Sequence, residues 1–442
     1  MTNFLRFLKP FFSMLATGLL LIVFAISIGY ATFIENDYGT TTARILIYNA
    51  WWFEVLLVLL AVNLVGSIIV NRLISRKKWA IFLFHAAFLV ILAGAAITRY
   101  ASFEGTLHIR EGEQSNQLIT ETTFVKIVAT QDDQTVVVSE EVKFSPYAAN
   151  HFRKTFTIGD QQVTVENLQF VPSAAETVVE DLSGEPILAL LAVDRQGRRN
   201  DFLLRTGENK WIDGIGFNFG TSADSALLSI RDVDGQLVFS CRDTVALVGM
   251  GDSEMQFLTP GEEHPLREKT VYQSGGVGFV LKQYFQKGRP QLIYVPSHSQ
   301  AMPNDAFHAR LSAGNETRDL FVYGKPGVIG QPTTADLGDL SVQVSYGSEV
   351  HELPFMLKLN DFQLERYPGS NSPSSYASEV TLIDQAHGVE KPYRIFMNNI
   401  LKYRGYRFFQ SSFDQDEQGT VLAVNFDSAG TAVTYIGYLL LA

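Results

Sequence analysis

Residues 79–98 read WAIFLFHAAFLVILAGAAIT, twenty uncharged residues between Lys78 and Arg99. A bilayer core needs about 20 residues of helix to cross, so this stretch predicts a transmembrane helix. One residue in it, His85, is polar enough to be costly away from water. An intramembrane imidazole therefore faces protein, a cavity or a bound group. Imidazole is a strong ligand for haem iron, and it is equally able to hydrogen-bond a neighbouring helix. The helix taken alone leaves both readings open.

Two further apolar segments precede it. No charge occurs from Pro10 to Ile34, predicting a span over about 11–34, and VLLVLLAVNLVGSIIVN after Glu54 extends outward through Trp51, Trp52 and Phe53. That places a second span at about 51–71, with the tryptophans at a membrane–water interface. The first segment lacks an A-x-A-like cleavage site, and its apolar run exceeds a signal-peptide core of about 7–15 residues. Arg6 and Lys9 precede the first span, and Arg72, Arg76, Lys77 and Lys78 fill the loop before the third. Glu35 and Asp37 leave the intervening loop net negative. The positive-inside rule thus puts the N-terminus and the basic loop in the cytoplasm, and everything beyond Tyr100 on the far side. His85, six residues past Trp79, lies about 9 Å along the helix, in the inner half of the bilayer. Residues 433–442, VTYIGYLLLA, read as the start of a fourth, truncated span.

Residues 1–100 carry a net charge of +5, leaving −16 for the rest of a chain whose total is −11. An acidic domain is a poor partner for nucleic acid, whose affinity rests on phosphate neutralisation, and a better one for a basic protein. Its pattern is β. Phe355, Leu357 and Leu359 alternate in FMLKL, and Val342, Val344 and Tyr346 in SVQVSYG. Gly159-Asp160 and Asp234-Gly235 sit between alternating runs, as hairpin turns do. The expected fold is thus three complete transmembrane helices plus the start of a fourth, with a large extracytoplasmic all-β domain over 101–430, β-sandwich-like. Its length allows two lobes, divided near Gly249–Pro265.

One cysteine, Cys241, excludes an intramolecular disulfide and any CxxC or CxxCH motif, and its β-patterned setting suits a structural thiol. No G-x-S-x-G, H-E-x-x-H, P-loop or dinucleotide fingerprint occurs. His108, His151, His264, His298, His308, His351 and His387 are scattered at no ligand-like spacing. His108 follows the third span closely enough to face its outer end, although a surface strand histidine is the plainer expectation. Glu54 is expected to reach back to the interface.

Four segments together resemble the ResB (CcsB) family of the system II cytochrome c maturation machinery. They are GTTTARILIYNAWWFEVLLVLLAVNLVGSII, KKWAIFLFHAAFLVILAGAAITRYASFEGTLHIREGE, FMLKLNDFQLERYPGSNSPSSYASEV, and ILKYRGYRFFQSSFDQDEQGTVLAVNFDSAGTAVTYIGYLLL. The resemblance implies an inner-membrane protein that works with a CcsA-type partner, fused downstream in some relatives. The pair carries haem b across the membrane and presents it to a CxxCH apocytochrome c, with a thiol–disulfide reductase as a further partner. It matches His85 to the family's transmembrane histidine, an axial haem ligand, and makes the chain a haem-handling subunit rather than a catalyst by itself. Phe82, Leu89 and Leu92 are expected to pack the porphyrin, and Ala86, Ala93 and Gly94 to admit a close helix. The chain departs from the family in two respects. Val424-Asn425-Phe426-Asp427-Ser428 has Phe where the family often has His, and there is no tryptophan-rich segment. The competing reading is a membrane-anchored β-domain receptor or scaffold without a cofactor. A proton-coupled transporter using His85 and Glu54 would need an inverted repeat that the sequence lacks.

Overall fold

The computed structural model describes residues 9–220, 228–248, 255–296 and 304–442. Arg6, His298 and the first part of Gly249–Pro265 lie outside them. Three helices are long and apolar enough to cross a membrane. The rest is overwhelmingly β-strand, so the chain is a membrane anchor carrying a large all-β region.

The first helix, Met14–Ala43, starts at Ser13, whose hydroxyl accepts from the Ala16 amide at 3.3 Å. It runs nine residues past the expected end at 34. Glu35, Asn36 and Asp37 stop the apolar pattern but not the helix, which breaks only at Gly39, where φ is +81°. That left-handed conformation suits glycine alone. A π-helical turn, Arg44–Tyr48, leads to the second helix, Trp51–Val70. The third, Trp79–Ala101, outlasts its expected end at 98 because Arg99 and Tyr100 stay helical. The fourth, Ser428–Leu441, begins five residues before the expected 433.

The chain divides into two compact units: one of Met1–Pro172 with Asn304–Ala442, the other Ser173–Pro303. This differs from the expected division near 249–265, whose described residues lie inside the second unit. The reason is topological. The second unit is bounded by Ala174–Val193 and Val277–Tyr294, which pair antiparallel with each other, so both its ends leave from one ribbon.

In the first unit, a ten-stranded sheet carries most of the mass beside a four-stranded one. Its two longest partners, Gln114–Gln131 and Leu340–Arg366, break register between Ile119 and Thr123. A bulge of this kind bends a strand, and the two halves serve different cores. One half buries Leu107, Leu118, Phe355, Leu357, Leu359 and Phe408. The other buries Val125, Ile127, Phe307, Val344 and Tyr346. The alternations FMLKL and SVQVSYG therefore supply one core each. In the hairpin at Gly159-Asp160, Ile158 pairs with Gln161. ERYPGSNSPSSYASEV, a loop by composition, is mostly strand: Arg366 pairs with Pro373, and only the tip between them is irregular.

The second unit holds a five-stranded and a six-stranded sheet around Leu190, Phe217, Phe239, Tyr272 and Phe279. Its Asp234-Gly235 turn joins Val233 to Gln236 directly across the ladder. Cys241 is buried, and that burial, with Asp243 nearby, raises its thiol pKa. Such a thiol is structural rather than reactive.

Candidate functional site

His85 sits in the second turn of the third helix, half-buried. Its Nδ1 lies 2.8 Å from the carbonyl oxygen of Ile81, one turn back. A carbonyl can only accept, so Nδ1 is the donor of this bond. No described residue partners Nε2. A histidine held through one nitrogen, with no described partner at the other, is able to serve as a metal ligand. The alternative of a hydrogen bond to a neighbouring helix is not realised: the ring bonds its own helix.

The face that carries His85 is settled by what packs opposite. An added Cβ on Gly94 would lie 2.3 Å from Thr434 Oγ1 and 2.8 Å from the Thr434 amide nitrogen. One on Gly437 would lie 2.5 Å from Ile91 Cγ1 and 3.1 Å from the Ala87 carbonyl. Ala87 and Gly94 on the third helix, with Gly430 and Gly437 on the fourth, thus let the backbones touch, as small residues do in membranes. Gly94 is nine residues from His85, about half a revolution at 3.6 residues per turn. His85 therefore points away from the fourth helix. Phe82, Leu89 and Leu92 share its face and are each half-covered. Of the expected small contacts, Gly94 is buried at the helix crossing, whereas Ala93 is exposed and Ala86 half-covered.

This strip offers one nitrogen donor on a flat apolar surface. It fits one axial position of a haem, and the hydrocarbon neighbours suit a porphyrin face. Among the described residues, no group of three or more His, Cys, Asp or Glu side chains is placed to hold a metal ion.

The helix ends next to the β region are tied by groups that sequence reading left unpaired. Glu54 forms an ion pair with Arg99 and accepts from the Tyr100 hydroxyl at 2.8 Å. Arg99 also donates to the Tyr48 carbonyl at 2.6 Å. Glu54 is thereby a structural anchor. Thr98 donates to Asp427 at 2.8 Å, joining the third helix to the start of the fourth. Arg407 donates to the Asp427 carbonyl at 3.0 Å and also bonds Thr431. Phe426, at the position where the family often has His, packs between Tyr406 and Phe103 at 4.7 and 6.3 Å. A ring in that aromatic cluster gains contact area and loses any ligand role. Only the opposite charges of Glu54 and Arg99, each close to the same interface, could have signalled any of this beforehand.

His108 is an exposed strand residue whose Nε2 donates to Asp414 at 3.0 Å, while Arg110 donates to Asp414 at 2.8 Å. Partial burial pushes the Asp414 carboxyl up, but these two partners prevail and hold it below its ordinary value. His351 stacks on Phe103 with ring centroids 4.7 Å apart, and His264 bonds the Thr259 carbonyl. His308 pairs with Asp319 and His387 with Asp384. His85 alone among these histidines lies in a long apolar helix, and its ring bonds a backbone carbonyl of that helix.

The ResB-like family matches residues 75–170 and 322–437, covering the third helix with His85, both halves of the long bent strands and the start of the fourth helix. The chain belongs to the ResB-like family. Protein NrfI of Wolinella succinogenes is 30% identical to it over 429 residues, which is 97% of this chain and 33% of that protein. This ResB-like chain thus spans about a third of the length of that relative.

Proposed function

We propose that this ResB-like chain acts in cytochrome c biogenesis, with His85 as one axial ligand of haem b in transit across the inner membrane. What supports the reading above all is His85 Nε2, without a described partner, on an apolar strip left open by the chain's own helices. The Ile81 carbonyl holds the ring through Nδ1, and the clamp of the fourth helix on the opposite face keeps the third helix in place.

In this reading a CcsA-type protein supplies the second axial ligand and the attachment site. The basic loop at Arg72, Lys77 and Lys78 lies in the cytoplasm, the β region is extracytoplasmic, and His85 is near the leaflet where haem is loaded. The acidic β region helps hold apocytochrome c, with a thiol–disulfide reductase keeping the client's cysteines reduced. The chain performs no bond-making step itself. It binds, orients and shields.

The test is a visible spectrum of the chain purified with its partner. His85→Ala should lose most of the haem Soret absorbance, and millimolar imidazole should restore it by filling the vacated coordination position. Retention of the full band and its position in His85→Ala would remove His85 as the ligand. Absence of haem from both forms would favour the cofactor-free scaffold.

A further inference from the structure

The second unit begins and ends at one point of a strand ladder. Before it, Val171 is the last residue of the strand Gln161–Val171 and pairs with Ala306 of Asp305–Ala313. Just inside it, the Val295 amide donates to the Ser173 carbonyl at 2.9 Å, and Ala174 pairs with Tyr294. The chain therefore leaves and returns between two facing positions. Among the described residues, every sheet belongs wholly to one unit. The second unit also has its own core, with Phe217, Phe239, Leu228 and Ile230 fully buried. The ResB-like match halts at 170 and resumes at 322, so it passes over this entire unit. The similarity to NrfI covers 97% of the chain and so runs through it.

We infer that Ser173–Pro303 is an inserted module that folds on its own core, and that the membrane-linked unit closes its fold without it. In the closed form, Val171 and Ala306 become the last pair of an ordinary β-hairpin. Adjacent chain ends are what make a domain removable without unravelling its host. The inference goes beyond the haem reading and does not rest on it, because folding is the readout.

The experiment replaces Pro172–Asp305 with Asn-Gly in the membrane-embedded chain. Two residues between directly paired positions make a type I′ hairpin turn, whose twist matches the flanking strands. Hydrogen exchange of Phe103–Arg110 and Gly419–Phe426 is expected to stay within twofold of the full chain. Loss of protection there, or loss of membrane insertion, overturns the proposal. A second variant keeps the chain intact. Phe217→Ala empties a site in the second core, and large-to-small changes of this kind lower stability by on the order of a hundredfold or more. Protection of Ile215–Phe219 and Gln236–Cys241 should fall by that factor while Val125, Ile127 and Leu422 keep theirs. A parallel fall in both units means one cooperative fold and refutes the inference. The Soret band of either variant reports on the haem reading separately.

Discussion

Gly94→Ala is the sharpest test of how the third helix is held. The new Cβ would stand 2.3 Å from Thr434 Oγ1, a hydroxyl that can rotate away. It would also stand 2.8 Å from the Thr434 amide nitrogen, which cannot. Ordinary contact begins near 3.4 Å. The two backbones must therefore separate by about 0.6 Å, and overpacking of this kind costs roughly 1–3 kcal/mol. Taking about 2 kcal/mol, local opening of the fourth helix should rise roughly thirtyfold. Gly437→Ala meets Ile91 at Cγ1, 2.5 Å away on a stiff β-branched side chain, with backbone no nearer than 3.1 Å, so it should also raise local opening, by less than Gly94→Ala. Ala93→Leu, on an exposed position, serves as the control. The assay is hydrogen exchange of Thr431–Leu441 in lipid nanodiscs, read by mass spectrometry. His85 lies on the opposite face, so haem retention should stay within twofold. Equal protection in Gly94→Ala and the native chain, or a larger effect in Ala93→Leu, would refute the close-contact reasoning.

Asp384 is fully buried and is held at about 2, because hydrogen bonds from His387, Tyr403 and Arg404 outweigh the upward push of burial. A depressed carboxylate contributes stability above its unfolded value, about 3.9, and loses it as pH falls through the folded one. Acid unfolding of the full chain should therefore flatten between about pH 4 and pH 2 in Asp384→Asn. Exposed His108 and Asp414 form a surface pair, so His108→Ala should cost no more than about 1 kcal/mol and leave the Soret band unchanged; a lost band would assign His108 to the haem path. Cys241, buried and raised in pKa, should resist maleimide in the native chain and react after denaturation. Rapid native labelling would show that its strand opens. In a Cys241→Ser background, cysteine at Lys77 should label only from the cytoplasmic side and cysteine at Asp416 only from the other. The reverse pattern inverts the proposed topology.

The helices were legible because burying twenty apolar residues in lipid depends on length and polarity alone. Trp79 starts its helix where expected, and the ends slipped only where polar residues such as Glu35 or Arg99 stay helical while leaving the apolar run. Strand faces were legible for a similar local reason: in FMLKL and SVQVSYG, a period of two sorts core from surface before any partner strand is known. The turns Gly159-Asp160 and Asp234-Gly235 carried their own backbone geometry. The composition of ERYPGSNSPSS suits a loop, but only its tip between Arg366 and Pro373 is irregular, because proline and serine suit a strand end as well.

Sequence by itself thus determined the membrane anchor, the β character of the remainder and the one intramembrane imidazole. Tertiary structure alone decided which face of the third helix is covered by the fourth, and that Glu54 is engaged by Arg99. It also decided that Ser173–Pro303 forms a unit of its own. These last features depend on pairings between residues far apart in the chain, such as Gly94 with Thr434 and Val171 with Ala306. Local periodicity carries no information about such distant partners, whereas packing and strand register specify them directly.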